Sequence, residues 1–407
     1  MKLIGPFAQL VTMRNVRNAG PVEDVSLEIL PHVGILIEDG KIAKIDNYEN
    51  LRADDQITFD SPVIAIPGLI DAHTHLCWGG SRTRDYALRV RGVSYQEIAK
   101  QGGGILDTVA QTREASLEEL TNVVDQHLDQ QLSWGVATTE VKSGYGLSVE
   151  SELKMLKAIQ IAARKHPVDV ISTCLAAHTL PPEFNDRKQY LNHLQSALFP
   201  RLKPGTHRID IFIEEGAFSP EEAFPYLQYA KKLGFEITVH ANQFTHAGVN
   251  VACQVGAVSA DHLEHLTDDE ICLLKQSGTI AVALPGASLG LGERMAPVRK
   301  MLDAGLSVAI ASDWNPGSAP MGNLLAQAAL LGAFEKLSLA ETLAGITKRA
   351  AAALKLPDRG VLEVGKRCDL TVFKASDWRE IFYYQGSLQP SDTVIQGKRF
   401  HHVDRSR

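Results

Sequence analysis

Eight short apolar runs, each separated from the next by a polar or helix-patterned stretch, constrain this chain more than any other feature. They start at residues 64 (IAIPGLIDAHTH), 134 (WGVATTEV), 168 (VDVISTCLAAH), 208 (RIDIFIEE), 235 (FEITVHA), 257 (AVSADH), 279 (TIAVALP) and 307 (SVAIASD). Runs this apolar read as strands buried on both faces, which requires a parallel sheet covered by helices. Between them, residues 148–165 (SVESELKMLKAIQIAARK) repeat apolar side chains at i, i+3, i+4 and i+7 behind a cap-like Ser148. Similar helices are expected over 116–131, 220–233 and 338–355. Eight strands alternating with helices predict a closed (β/α)8 TIM-type barrel. The alternative, an open doubly wound sheet, needs a glycine-rich nucleotide fingerprint behind a strand. Gly102-Gly103-Gly104 follows a helix instead and reads as a flexible loop, able to act as a lid or to be plain surface.

The two ends of the chain have a different pattern. Residues 33–45 (VGILIEDGKIAKI) alternate around Asp39-Gly40, a pair suited to a two-residue hairpin, and residues 361–373 and 394–400 again read as short strands with glycine turns. These ends are expected to pair into a small, sandwich-like β domain, residues 1–62 with 358–407, beside a barrel over 63–357. A length of 407 residues accommodates both. The net charge of -7 offers no basic footprint for nucleic acid or an anionic membrane, and no apolar run approaches the ~18 residues of a membrane span. A small-molecule partner is therefore expected. Five cysteines, odd in number and without a Cys-x-x-Cys pair, argue against a disulfide framework and fit a reducing compartment, with a cytoplasmic location expected.

Barrels of this class place their chemistry at the C-terminal ends of the strands. Those ends are unusually polar here: His73 and His75 on the first strand, Lys142 to Gly146 after the second and His178 on the third. Glu214-Glu215 end the fourth, His240 to Gln243 the fifth, Asp261 to His265 the sixth and Asp313 to Ser318 the eighth. Side chains alternate along a strand, so His73 and His75 share a face with Cα atoms roughly 6.6 Å apart, a spacing suited to one transition metal. Taken alone, a His-x-His pair reads first as two half-buried structural histidines. Five strands ending in His or Asp on one rim would bury polar groups without partners, a cost that a bound metal removes.

The whole constellation resembles the amidohydrolase superfamily, and the resemblance covers nearly the whole chain. It rests on PGLIDAHTHLCWGGSR, TTEVKSGYGL at 138–147, LAAHTLP at 175–181, SADHLEH and SDWNPGS. Within that superfamily these segments are most similar to the branch that opens the imidazolone ring in histidine degradation. The resemblance implies hydrolysis of 4-imidazolone-5-propanoate to N-formimidoyl-L-glutamate by a metal-activated water. It also implies one divalent or trivalent metal, zinc or iron, bound by His73, His75, His240 and Asp313. Asp313 is then the expected general base, with His262 and His178 beside the developing oxyanion. The propionate calls for a cation, and the Arg82 guanidinium offers a planar fork to a carboxylate. Arg84, Arg89 and Arg91 read as solvated helix-face charges. Tyr145, Gln243, Asn315, Gly317 and Ser318 complete the implied pocket, with His178 touching substrate. A homodimer is also implied.

Two departures from sister groups narrow the choice. The fourth strand ends in Glu214-Glu215 rather than in a metal-bridging lysine, so one metal is expected. Gln243 stands where related deaminases carry a proton-shuttling Glu, which disfavours deamination. The remaining alternatives are a deaminase or another cyclic amidohydrolase on the same scaffold, and a non-catalytic barrel scaffold.

Overall fold

A computed structural model describes residues 1–93, 95–202 and 205–402. The chain opens on an antiparallel ribbon. Strand β1 (Lys2–Val11) pairs with β2 (Ile29–Glu38), which turns through Asp39 and Gly40, both in the left-handed region, into β3 (Lys41–Asn47). β4 (Asp55–Ile57) and β5 (Ile64–Pro67) then lie parallel to β1. After the single residue Gly68, β6 (Leu69–Asp71) starts a second sheet.

That sheet continues with β7 (Val136–Lys142), β8 (Asp169–Ala177), β9 (Arg208–Ile213) and β10 (Glu236–Ala241). It ends with β11 (Ser259–His262), β12 (Ile280–Ala283) and β13 (Val308–Ile310). Consecutive strands pair in parallel throughout. The ring closes just beyond the strands: Thr74 bridges Trp314, the Asp313 N–H donates to the His73 carbonyl at 3.0 Å, and the His75 N–H donates to the Trp314 carbonyl at 2.9 Å. Asp71 reinforces this seam by accepting from the Ser312 N–H at 2.9 Å and its hydroxyl at 2.5 Å. The closure itself therefore sets His73 and His75 beside Asp313.

Several helices begin at side-chain caps. Ser116, Ser219, Thr267 and Ser338 each form a reciprocal capping box with the glutamate three residues on, and Ser148 caps Val149–Lys165. The expected helix over 338–355 is instead two, Leu339–Gly345 and Lys348–Ala353. It breaks because the Ile346 carbonyl leaves the helical ladder to accept from the Ile70 N–H of β6 at 2.9 Å.

β14 (Leu370–Phe373) returns antiparallel to β5, followed by β15 (Asp392–Ile395) and β16 (Lys398–His401). Both chain ends thus share one eight-stranded sheet with its own apolar core of Ile4, Phe7, Ile35, Leu370 and Val372. Residues 403–407, assigned to this unit from the sequence, lie outside the described residues.

The run from residue 64, read as one strand, is divided at Gly68. Ile64–Pro67 belongs to the end sheet although the expected boundary at 63 put it in the barrel. Gly68 permits the transfer because a Cβ there would sit 2.7 Å from Ala137 Cβ, and its N–H donates to the Asp369 carbonyl at 2.8 Å. Among the described residues no helix is long and apolar enough to cross a membrane.

Inside the barrel the strand alternation is reversed from the usual aliphatic filling. Ile209 and Ile211 pack outward with the helices, whereas Glu140, Lys142, Arg208, Asp210, Thr238, His240 and Asp261 are all buried.

Candidate metal centre and substrate pocket

The donor atoms converge at the C-terminal mouth of the barrel. His73 Nε2 lies 3.3 Å from His75 Nε2, and Asp313 Oδ1 lies 3.5 Å from the former and 3.3 Å from the latter. One ring nitrogen from each of His73, His75 and His240 falls within 4.8 Å of the others. Behind them, His73 Nδ1 faces Asp261 Oδ2 at 2.7 Å and His240 Nδ1 faces Asp210 Oδ2 at 2.9 Å. A carboxylate at Nδ1 fixes the N–H there and leaves Nε2 as a lone pair. The neutral His75 and His240 rings and the Asp313 carboxylate converge with His73 on one point that a cation satisfies, so the donor set fits a metal ion.

The electrostatics agree. Burial pushes His75 down to about 3 and His178 down to about 4, and it holds His240 well below its ordinary value, so these rings present neutral nitrogens. His73 is the exception. Burial and the Lys142 ammonium oppose its protonation, yet Asp261 and Asp313 on either side raise it to about 9, as expected of a position that draws positive charge. Burial disfavours the charged form of Asp313, but His73 and His75 hold its carboxyl well below the usual range. Asp313 (φ 50°), Asn242 (φ 56°), His262 (φ 84°) and Leu263 (φ 69°) all adopt left-handed backbone at this rim, and such strain concentrates at functional sites.

Above the donors opens a cavity of about 510 Å³ lined by His75, Arg82, Tyr145, His178, Gln243, His262, Asp313, Asn315, Gly317 and Ser318 among others. All the site residues expected from the sequence therefore meet at this cavity or on its floor, His73 among the donors beneath. His178 Nδ1 is engaged by the Gly144 carbonyl at 3.0 Å, which turns its other nitrogen away from that loop. Burial opposes protonation of His262, but the Glu264 carboxylate, 3.2 Å from Nδ1, raises it. Asn315 has its side chain committed to its own loop. Its Nδ2 donates to the Asp313 carbonyl at 2.7 Å and to Ser318 Oγ at 2.9 Å, while Oδ1 accepts from the Gly317 and Ser318 N–H groups, both at 2.8 Å.

Arg82 is oriented by an ion pair to the buried Asp85, which also accepts from the Gly104 N–H at 2.8 Å. The Gly102–Gly104 turn is thereby tied to the same carboxylate that aims Arg82. Arg89, read from the sequence as a solvated helix-face charge, turns into the cavity instead and donates to the Gly317 carbonyl at 3.0 Å. Helical spacing alone did not reveal which face of the short helix Thr83–Arg89 meets the barrel. Glu214 accepts from the Phe244 and Thr245 N–H groups at 2.9 and 3.1 Å, so it braces the loop that carries Gln243. The sequence reading did not assign roles to Asp210, Asp261 and Lys142. Their signal was available as charged residues at alternate positions within otherwise apolar strands.

The model of the amidohydrolase family matches residues 64–400. An imidazolonepropionase from Bdellovibrio bacteriovorus is 39% identical over 409 residues, covering 98% of this chain and 96% of its own. An imidazolonepropionase from Rubrobacter xylanophilus is 44% identical over 335 residues, 82% of this chain and 81% of its own. Among solved structures, atrazine chlorohydrolase from Arthrobacter aurescens TC1, complexed with zinc, aligns at TM-score 0.75 and 19% identity over 99% of this chain and 95% of its own. An adenosine deaminase from Xanthomonas campestris with bound zinc aligns at TM-score 0.73 and 17% identity over 100% and 94%. Those two likenesses establish the barrel architecture, while the sequence relatives and the family match place the chain more closely. The chain belongs to the amidohydrolase family, on its imidazolonepropionase branch.

Proposed function

We propose that this chain is a metal-dependent hydrolase that opens the ring of 4-imidazolone-5-propanoate to give N-formimidoyl-L-glutamate. The observation that carries the reading is the convergence of four donors, His73, His75, His240 and Asp313, on the floor of a cavity whose wall holds Arg82. The ion is zinc or iron, since both accept imidazole and carboxylate ligands. When bound, it lowers the pKa of water from 15.7 toward about 7 and polarises a carbonyl.

The chain supplies the rest. Asp313 takes the proton of the attacking water and passes it to the departing ring nitrogen. His262, kept protonatable by Glu264, donates to the oxyanion that develops on the lactam carbonyl. His178 and Tyr145, with rings 5.5 Å apart, form one wall against the ring, and Gln243 offers an amide to its polar edge. Arg82 grips the propionate beside Gly317 and Ser318, whose loop Asn315 holds in place.

Replacing Arg82 with alanine should raise KM by about 10- to 100-fold, the equivalent of losing a charge-assisted hydrogen bond, with a smaller effect on kcat. An unchanged KM in steady-state assays would remove that role. The reaction itself is tested by following loss of imidazolonepropionate absorbance together with formation of formiminoglutamate. Release of ammonia from a purine or a similar base, without ring opening, would favour a deaminase instead.

A further inference from the structure

Beneath the donor set lies a closed charge cluster that the ring-opening scheme does not use. Lys142, the last residue of β7, is fully buried, and so are the acids around it. Its Nζ stands 2.8 and 2.9 Å from the two oxygens of Glu140, 2.9 Å from Asp210 Oδ2 and 3.7 Å from Asp261 Oδ2. The same Asp210 oxygen faces His240 Nδ1, and the same Asp261 oxygen faces His73 Nδ1. One ammonium therefore stands against both carboxylate oxygens that orient histidines arriving from different strands.

The neighbours complete this arrangement without replacing it. Thr173 Oγ1 donates to Glu140 at 2.5 Å, and Arg208 Nε lies 3.8 Å from the same carboxylate. Thr238 Oγ1 donates to Asp261 Oδ2 at 3.0 Å, while Asp210 Oδ1 accepts the N–H groups of Ile211 at 2.7 Å and His240 at 3.2 Å. Lys142 is the cation that reaches both histidine-facing oxygens. A buried ionic cluster is a weak source of stability compared with apolar packing, so stability alone does not account for it. A compact ammonium with three donors on a flexible stem suits the Glu140 and Asp210 oxygens at 2.8–2.9 Å and leaves its charge 3.7 Å from Asp261 Oδ2, an arrangement that the flat fork of arginine does not match.

We propose that Lys142 is a positioning residue for the metal centre, its ammonium holding Asp210 and Asp261 as the paired acceptors that aim His240 and His73. This rests on the ligand assignment made under the proposed function. The experiment compares the unaltered chain with Lys142→Met, with the charge-balanced pair Lys142→Met/Glu140→Gln, and with Glu140→Gln alone. Each protein is stripped of metal, and zinc is returned in competition with a chromogenic chelator at a temperature where circular dichroism shows it folded.

Both proteins lacking the ammonium should bind zinc about 10- to 100-fold more weakly, the range seen when groups supporting metal ligands are lost. At saturating zinc, KM should stay near that of the unaltered chain while kcat falls. Glu140→Gln, which leaves Lys142 on both aspartates, should bind zinc within a few-fold of the unaltered chain. A folded protein lacking the ammonium that binds zinc with unchanged affinity overturns the proposal. So does failure of both Lys142 variants to fold, which would make the ammonium a structural ion only. Failure of the unaltered chain to bind zinc or iron overturns the ligand assignment instead, and the proposal with it.

Discussion

His73→Ala is expected to abolish metal binding and activity together. The imidazole lost is the most enclosed of the donors: it is fully buried, touches Asp261 on one side and lies 3.5 Å from Asp313 on the other. Alanine leaves two histidines and an aspartate, and it takes from Asp261 its nearest partner, the His73 ring at 2.7 Å. Activity should fall by more than about 10³-fold, beyond the 10²- to 10³-fold cost of a single lost oxyanion donor. Elemental analysis of the purified variant, with circular dichroism to establish that it folds, is the check. Stoichiometric metal in a folded His73→Ala protein would mean that the ion sits elsewhere.

Asp313→Asn separates the two tasks given to this residue. The amide oxygen occupies the place of Oδ1 and can still face the metal, but it accepts no proton at neutral pH. We expect kcat to drop by about 10²- to 10⁴-fold, the usual contribution of a positioned general base, with metal content reduced only in part and KM near its original value. If kcat followed metal content in proportion, so that reloading the variant with metal restored full turnover, Asp313 would be a ligand and nothing more. The Asp313 backbone lies in the left-handed region at φ 50°, where asparagine is at least as well tolerated as aspartate, so the variant should fold.

The barrel was legible because a parallel sheet buried on both faces leaves continuous apolar runs, and its strand ends could be read as a list of rim groups. The division at Gly68 was not legible. Ile64 to Asp71 is equally apolar on both sides of the glycine, and only its partners, β14 before and β7 after, tell the two sheets apart. The helix over 338–355 failed for a similar reason: its break is set by the Ile346 carbonyl meeting β6, a contact across more than 270 residues of sequence.

At the site, residues on loops at strand ends were found by their types and order. Beneath them, Glu140 and Asp210 were missed because they sit within strands, where an apolar average conceals a polar face, while Lys142 and Asp261 stood among the strand-end groups without a role. Arg89 was misread because a helix of seven residues, Thr83–Arg89, is too short for its periodicity to define a buried side.

The Gly68 crossing also bears on the order in which the molecule can be made. β5 is held between β1 from the start of the chain and β14 from residues 370–373, and six residues beyond Pro67 the backbone presents His73. Until β14 has emerged from the ribosome, the strand that leads into the first donor lacks one of its two flanking partners. A chain cut short before Leu370 is therefore expected to leave β5 without that partner, and with it a loosely held first histidine.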